Sequence, residues 1–198
     1  LAFILPAGKY IGNSRYKDVF AASAVADLTS FRNHWGAETS LDVELYRPVA
    51  RYELVAKDVA TFLNKLSTGG LKGESFTARV KYSDYLPTGY NLWDDVPKNS
   101  LMYMEYKVAF ERPADGTKEL ILGFDYVLTD AGETVSIPVE LEILNEKNEV
   151  LARTAFRIPC ERGKNTTVRG NFLTSDANGG IGIDPDYDGD LEVDLGEL

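Results

Sequence analysis

The chain has 198 residues, of which 44% are hydrophobic and 26% are charged, a composition typical of one globular domain. Its formal net charge of −10 repels phosphate backbones, so the sequence predicts no nucleic-acid partner. The lone Cys160 excludes an intramolecular disulfide, and no apolar run approaches the roughly 20 residues that a membrane-spanning helix needs.

The first five residues have the composition of a strand, since all but Ala2 are strongly apolar. Residue 1 is not methionine, so we interpret the chain as a mature or truncated form without its targeting segment. Pro6 and Gly8 end the apolar run, and no hairpin partner precedes it. We therefore expect residues 2–5 to lie at or beside an open sheet edge, which the missing N-terminus or a segment from another molecule would complete.

One short helix is predicted within residues 58–66. Asp58 is a candidate N-cap, and Gly69 with Gly70 ends the helix. The apolar residues between them follow the spacing i, i+3, i+4, i+7, namely Val59, Phe62, Leu63 and Leu66.

Period-two alternation of apolar residues predicts strands over residues 75–82, 102–110, 120–128 and 134–143. Pro138 cannot donate to a ladder, which favours an edge or a bulge for the last of these strands. Residues 120–128 are apolar at additional positions, which favours a central strand. The residues predicted to fill the core are Phe76, Val80, Tyr106, Val108, Phe124, Ile137, Val139 and Phe156.

The turns between these strands complete the fold prediction. Asp115-Gly116, Asp130-Ala-Gly132 and residues 145–148 separate successive strands as hairpin turns. Short strands at near-regular spacing with one short helix indicate an all-β fold, an antiparallel β-sandwich. We predict a single domain over residues 1–198, with an acidic C-terminal extension from about residue 186.

Three groups of segments, in their order along the chain, resemble a known family. The first comprises residues 10–20 and 45–54, the second residues 85–92 and 123–126, and the third residues 158–162, 167–174 and 183–185. Together they resemble the N-terminal domain of fimbrillin-like proteins, which are surface lipoproteins and pilus subunits of Gram-negative gut and oral anaerobes. The resemblance covers roughly residues 9 to 185.

The resemblance implies a Greek-key, transthyretin-like sandwich with a structural or adhesive role at the cell surface. It implies export, attachment to the outer membrane through a lipid anchor on the missing N-terminus, or incorporation into a fimbrium. Other fimbrial subunits joined by strand complementation, or a host or bacterial surface protein or glycan, are the implied partners. Full pilus subunits carry a second sandwich, and the early strands of the family are mostly absent here. The resemblance therefore implies the fold more strongly than it implies polymerisation.

A candidate calcium loop lies near the C-terminus, where carboxylates alternate with other residues at Asp184, Asp186, Asp188 and Asp190. The position that should supply the bidentate anchor is Leu195, and Pro185 disfavours a helical entry. The alternative interpretation is a strand end followed by a solvated acidic tail. We accordingly predict no cofactor and no metal, with these four aspartates as a weak candidate site.

Catalytic candidates are few. A cysteine–histidine pair would require Cys160 to meet His34, since the chain contains one of each. We expect Cys160 to be a small buried hydrophobe and His34 to be a loop residue beside Trp35. Glu140 and Glu142 share one strand face and could imitate a glycosidase pair, but solubilising residues are the simpler interpretation.

An aromatic segment over residues 82–93 offers a ligand site. Aromatic rings with neighbouring carboxylates and amides are typical of sugar-binding surfaces. The candidate ligand residues are Tyr85, Tyr90, Asn91 and Trp93. The alternative is a loop that packs its aromatic residues against the end of the sandwich.

The sequence therefore predicts a non-catalytic, fimbrillin-like surface protein with a structural or adhesive role. A surface carbohydrate-binding module that uses residues 82–93 is the alternative. An enzyme is the third class, and the scarcity of bases and nucleophiles argues against it.

Overall fold

The computed structural model describes residues 2–4, 10–175 and 192–194, with side chains over 10–175. Its strands are β1 (Ala2–Ile4), β2 (Val49–Ala56), β3 (Ser75–Tyr82), β4 (Leu86–Asn91), β5 (Val96–Leu101), β6 (Glu105–Glu111), β7 (Leu120–Leu128), β8 (Thr134–Asn145), β9 (Val150–Glu161), β10 (Asn165–Gly170) and β11 (Glu192–Asp194). Helix α1 (Val59–Ser67) follows β2, and 3-10 turns cover Arg15–Lys17 and Thr29–Phe31. The predicted all-β fold with a short helix is confirmed.

Two four-stranded sheets face each other across the main core, in the orders β11-β10-β2-β7 and β6-β3-β8-β9. Both contribute fully buried side chains to it, including Tyr52 and Leu54 from one sheet and Val80 and Ile143 from the other. A third sheet, β1-β4-β5, packs on the outer face of β2 and β7 through Tyr90, Val49 and Tyr126. All strand pairs are antiparallel except β2 with β10, which run parallel.

The prediction of an edge or a bulge at Pro138 is wrong as to the edge, because β8 lies between β3 and β9. The β8–β9 pairing does contain an irregularity, but at Ile143 and Leu144, away from the proline. The pairing with β3 stops at Val139, one residue short of the proline. The carbonyl of Pro138 still accepts a hydrogen bond from the backbone of Ser83. Pro138 therefore lies just beyond the end of the β3–β8 ladder, a position where a strand tolerates the missing donor.

Strand β7 was predicted to be central, and this was wrong: among the described strands it lies at the edge of its sheet and pairs with β2 alone. Leu54 pairs with Gly123 but Val55 pairs with Ile121, so Leu122 is an extra residue in β7. This bulge reverses the side-chain alternation, because one inserted residue shifts every later residue to the other face. Gly123 adopts φ +152 at the bulge, a conformation that L side chains rarely adopt.

The bulge corrects part of the predicted core. Of the predicted residues, Phe76, Val80, Tyr106, Ile137 and Val139 are buried. Val108 and Phe156 are half-buried against the main core. Phe124 is half-buried on the opposite face of its sheet, packed against the smaller cluster around Tyr90 and Tyr126. Asp125 takes the inward position that strict alternation would have given to its neighbours.

Helix α1 confirms the predicted segment, but Asp58 does not cap it through its side chain. The Asp58 carboxylate accepts hydrogen bonds from the backbone of Leu173 and Thr174 and from the Thr174 hydroxyl, at 2.7–3.2 Å. Tertiary contacts thus override the local capping role. Within the described residues, no helix has the length and apolarity to cross a membrane.

The two ends of the chain occupy sheet edges. Strand β1 pairs with β4 and is the outer strand of the small sheet, so residues 2–4 lie at a sheet edge, as predicted. Strand β11 pairs with β10, so three residues of the predicted acidic extension belong to a sheet. The aspartates of the candidate calcium loop lie outside the described residues.

Candidate functional site

A buried polar network lies inside the sandwich beside β7. Its centre is Asp125, whose side chain is fully buried. One carboxylate oxygen, Oδ1, accepts a hydrogen bond from Lys17 Nζ at 2.6 Å. The other carboxylate oxygen accepts hydrogen bonds from the hydroxyls of Tyr10 and Tyr82, each at 2.6 Å. The backbone N–H of Tyr126 donates to Asp125 at 2.8 Å. The carboxylate therefore has both a cation and several donors, which a buried charge requires.

Two further tyrosines extend this network. The Tyr52 hydroxyl lies 2.6 Å from that of Tyr82 and 3.2 Å from that of Tyr106. Burial, followed by the negative charge of Asp125, raises the pKa of Tyr82 well above its ordinary value. Burial lowers the pKa of Lys17, although Asp125 opposes that shift. These groups are bonded to one another inside the core, which is an arrangement for stability rather than for reaction with a bound substrate.

Residues 10–17 form a strap that brings Tyr10 and Lys17 into this network. The backbone N–H of Asn13 donates to the carbonyl of Phe124 at 3.0 Å, and the Asn13 side chain accepts from the Phe124 N–H at 3.2 Å. A Cβ at Gly12 would lie 2.2 Å from the Tyr106 ring, so glycine is needed where the strap crosses β6. An open groove of about 540 Å³ remains between the strap and β6, lined by Ile11 and residues 103–107.

A second polar cluster joins three loops at Asp95. Its carboxylate accepts hydrogen bonds from the hydroxyls of Tyr46 at 2.5 Å and Tyr90 at 2.8 Å. The two terminal guanidinium nitrogens of Arg162 each donate to it at 2.8 Å, and the guanidinium also lies over the Tyr46 ring. The hydrogen bonds from Arg162 hold the pKa of Asp95 at about 2 although partial burial opposes that shift. This cluster fixes the chain at Tyr46, where a long loop ends.

That loop, residues 22–45, is the most exposed apolar feature of the described chain. Six large apolar side chains in it are more than half exposed: Val25, Leu28, Trp35, Leu41, Val43 and Leu45. Trp35 is 98% exposed and lies at a turn next to Gly36. Apolar side chains concentrated on one exposed loop indicate a surface that binds a partner.

The neck of this loop is rigidly held. Ala21 and Tyr46 exchange two backbone hydrogen bonds of 2.8 and 2.9 Å. Arg47 donates to Asp18 at 2.8 Å, and its guanidinium lies over the ring of Phe20. The loop therefore begins and ends at a fixed point of the sandwich. Sequence reasoning did not identify the loop as a site, although the alternating apolar residues over 41–45 were a signal for it.

Three of the four predicted ligand residues lie at one end of β4 and the turn that follows it, and Tyr85 lies at the other end. Tyr90 is buried and bonded to Asp95. Asn91 accepts hydrogen bonds from the backbone of Trp93 and Asp94, and thus shapes the turn between β4 and β5. Trp93 is exposed on that turn, whereas Tyr85 is exposed at the other end of β4. A six-residue strand separates the backbone positions of these two residues by roughly 17 Å, so they lie at opposite ends of β4.

The catalytic candidates Cys160 and His34 lie in different parts of the structure. Cys160 is buried in the main core, where burial raises its pKa to about 12, while His34 lies in the exposed loop. No group of three or more His, Cys, Asp or Glu side chains suited to a metal occurs in the described part of the chain.

Glu140 and Glu142 share an outer strand face, as predicted, but Glu142 is not a solvated residue. Its carboxylate is covered by Arg79, Lys81 and Arg153, which all contact it. Desolvation would raise its pKa, but the hydrogen bonds from Lys81, Arg79 and Arg153 outweigh it and lower the pKa to about 2. This is an ion-pair network between strands, not a pair of catalytic acids.

Comparison with known proteins places the chain in a family. A family model described as a family of unknown function, DUF6562, matches residues 1–196, so the chain belongs to that family. No curated protein matches the sequence significantly. A solved structure of a proposed cell adhesion protein from Bacteroides ovatus ATCC 8483 is similar at 12% identity, with a TM-score of 0.36. The match covers 64% of this chain and 41% of that one. The resemblance to fimbrillin-like proteins stays a prediction.

Proposed function

We propose that this DUF6562 protein is a non-catalytic binding protein of the cell surface, in which a rigid sandwich presents residues 22–45 as its recognition loop. The observation that carries the proposal is the exposure of six large apolar side chains on this one loop, Trp35 above all. Exposure of these side chains to water is unfavourable, and nothing in the described part of the monomer compensates for it. A bound partner would remove them from water.

The contrast between the loop and its support favours binding over catalysis. The neck is fixed by the Ala21–Tyr46 hydrogen bonds, by the Arg47–Asp18 ion pair and by the Asp95 cluster. A loop with fixed ends loses less conformational entropy on binding than one with free ends. The titratable groups inside the sandwich, by contrast, are already bonded to one another, so they serve the frame.

The finer form of the proposal is a fimbrillin-like structural or adhesive protein, either in a fimbrium or anchored to the outer membrane by lipid. Its partner would then be another fimbrial subunit, or a host or bacterial surface protein or glycan. The groove between the strap and β6 supports strand complementation, since β6 is an edge strand within its sheet.

A loop-replacement variant tests the proposal. Joining Ala21 to Tyr46 through Asn-Gly, a sequence suited to a two-residue hairpin, removes residues 22–45 and keeps the neck. We expect the wild-type protein, immobilised on beads, to bind epithelial or bacterial cells, and the variant to lose that binding at an unchanged melting temperature. Equal binding by the two proteins, or no binding by either, would contradict a recognition role for the loop.

A surface carbohydrate-binding module is the second candidate. The specific observation in its favour is Trp93, which is 85% exposed on a turn shaped by Asn91. An exposed indole next to polar groups can stack on a sugar ring. A glycan array with the wild type and Trp93→Ala tests this candidate: a specific signal lost in the variant supports it, and an array without signal rejects it.

A further inference from the structure

The two arms of the recognition loop carry matching patterns. The first arm is residues 22–27 and the second is residues 40–45. Neither arm forms a strand, and neither makes a backbone–backbone hydrogen bond with any residue that the structure describes. The arms start from the Ala21–Tyr46 bridge, in which each residue donates to the other. That bridge fixes the register in which the arms would pair if the ladder continued.

In this register the two faces of the hairpin would differ in polarity at every position except Val25. The pairs on one face would be Ala22 with Leu45, Ala24 with Val43, and Ala26 with Leu41. The pairs on the other face would be Ser23 with Glu44, Val25 with Asp42, and Asp27 with Ser40. One face is thus apolar at every position, while the other carries three carboxylates. A shift by one residue would destroy this separation, so pattern and bridge agree on a single register.

A two-stranded hairpin is marginally stable in water, and alanine has a low strand propensity. Pairing of the arms would therefore become favourable only when the apolar face of the hairpin is buried against another surface. A second copy offers an identical apolar face, and packing about a two-fold axis makes such a face complementary to itself. The carboxylates of Asp27, Asp42 and Glu44 would point away from this contact. These three carboxylates would therefore lie outside the contact, although each copy carries a net charge of −10.

We propose that residues 21–46 are a latent β-hairpin that closes when its apolar face packs on the same face of a second copy. The inference rests on the proposed role of the loop in recognition and names one partner for it. Closure would extend the existing bridge by the hydrogen-bonded pairs Ser23 with Glu44 and Val25 with Asp42, because such pairs recur at every second residue.

Two measurements on the full chain test the inference. Sedimentation equilibrium from micromolar to millimolar concentration should show a monomer–dimer transition that Val43→Asp abolishes. The matched control Asp42→Ser changes the opposite face and should dimerise at least as well as the wild type. A monomer at every concentration, or dimerisation unaffected by Val43→Asp, would overturn the inference.

Amide hydrogen exchange gives the second readout, which a general burial of the loop would not produce. At dimer concentrations the amides of Ser23, Val25, Asp42 and Glu44 should exchange at least tenfold more slowly than in the monomer, while those of Ala24 and Val43 should change little. A dimer without this alternation would rule out the hairpin. Cell binding by a protein that stays monomeric would refute the inference and leave the proposed function standing. A dimer with the expected alternation but without cell binding would support the inference, refute binding to cells and restrict the recognition role of the loop to self-association.

Discussion

The Asp125 network and the loop of residues 22–45 place their side chains in opposite environments. In the network, charged and phenolic groups lie inside the molecule and bond to one another, with Lys17 and Asp125 2.6 Å apart. In the loop, apolar groups lie outside the molecule, and Trp35 is almost wholly exposed. The comparison separates a frame, whose groups need nothing further, from a surface whose apolar side chains still gain from being covered.

The largest expected effect is in the network. Asp125→Leu would leave the Lys17 ammonium buried without its carboxylate and should lower the free energy of unfolding by about 3–5 kcal/mol, as measured by urea denaturation. Lys17→Met combined with Asp125→Leu removes both charges and should recover most of that loss. A loss below about 1 kcal/mol for Asp125→Leu alone would show that the network does not stabilise the frame.

The bulge in β7, which turns Asp125 inward, is tested by its neighbours. Leu122 is fully buried, so Leu122→Ala should cost about 3 kcal/mol. Phe124 is half-buried in the smaller cluster, so Phe124→Ala should cost less despite the larger side chain removed. The reverse order in urea denaturation would mean that the alternation continues through residue 122 without a bulge.

The outer-face ion pairs should give a smaller, pH-dependent effect. The folded-state pKa of Glu142 is about 2, below its ordinary value of 4.5. The unfolded chain therefore binds more protons in this window, and the stability from Glu142 is present above about pH 4.5 and lost as the pH falls towards 2. Glu142→Gln should cost about 2 kcal/mol at pH 7 and flatten the acid side of a melting-temperature profile.

The control for this effect is Glu161→Gln, which removes a carboxylate paired with Lys164 at the exposed β9–β10 turn. It should change the acid limb much less. Asp95, whose pKa is also about 2, keeps some acid dependence in both variants. An acid limb that is equally steep in wild type and Glu142→Gln would show that the three cations do not stabilise the ionised carboxylate.

The smallest stability effect is expected in the loop. Trp35→Ala should change the free energy of unfolding by no more than about 0.5 kcal/mol, because the indole touches solvent on almost every side. The same variant should weaken any binding that depends on the loop. A large loss of stability would place Trp35 in the frame and remove the contrast between the two regions.

The alternation of apolar and polar residues predicted the buried face correctly in a strand with one solvent-exposed face. Residues 75–82 are a strand with Phe76, Ala78, Val80 and Tyr82 buried, as the alternation predicts. The helix was also found from its spacing. The pattern failed in β7, since a bulge is a local backbone change that leaves apolar residues at both parities. It failed at Asp58 because the groups that its carboxylate binds lie more than a hundred residues away.

The sequence by itself determined the all-β fold class, the helix, the positions of five strands (β1, β3, β6, β7 and β8) and the low reactivity expected of Cys160, because these follow from spacing and composition. Only the tertiary structure decided which carboxylates are buried and which aromatic rings are exposed. Asp125 and Glu142 look like ordinary strand residues until Lys17, the tyrosines and three cations from distant segments surround them. Burial depends on what packs against a residue, and for these residues the neighbours come from strands far apart in the chain.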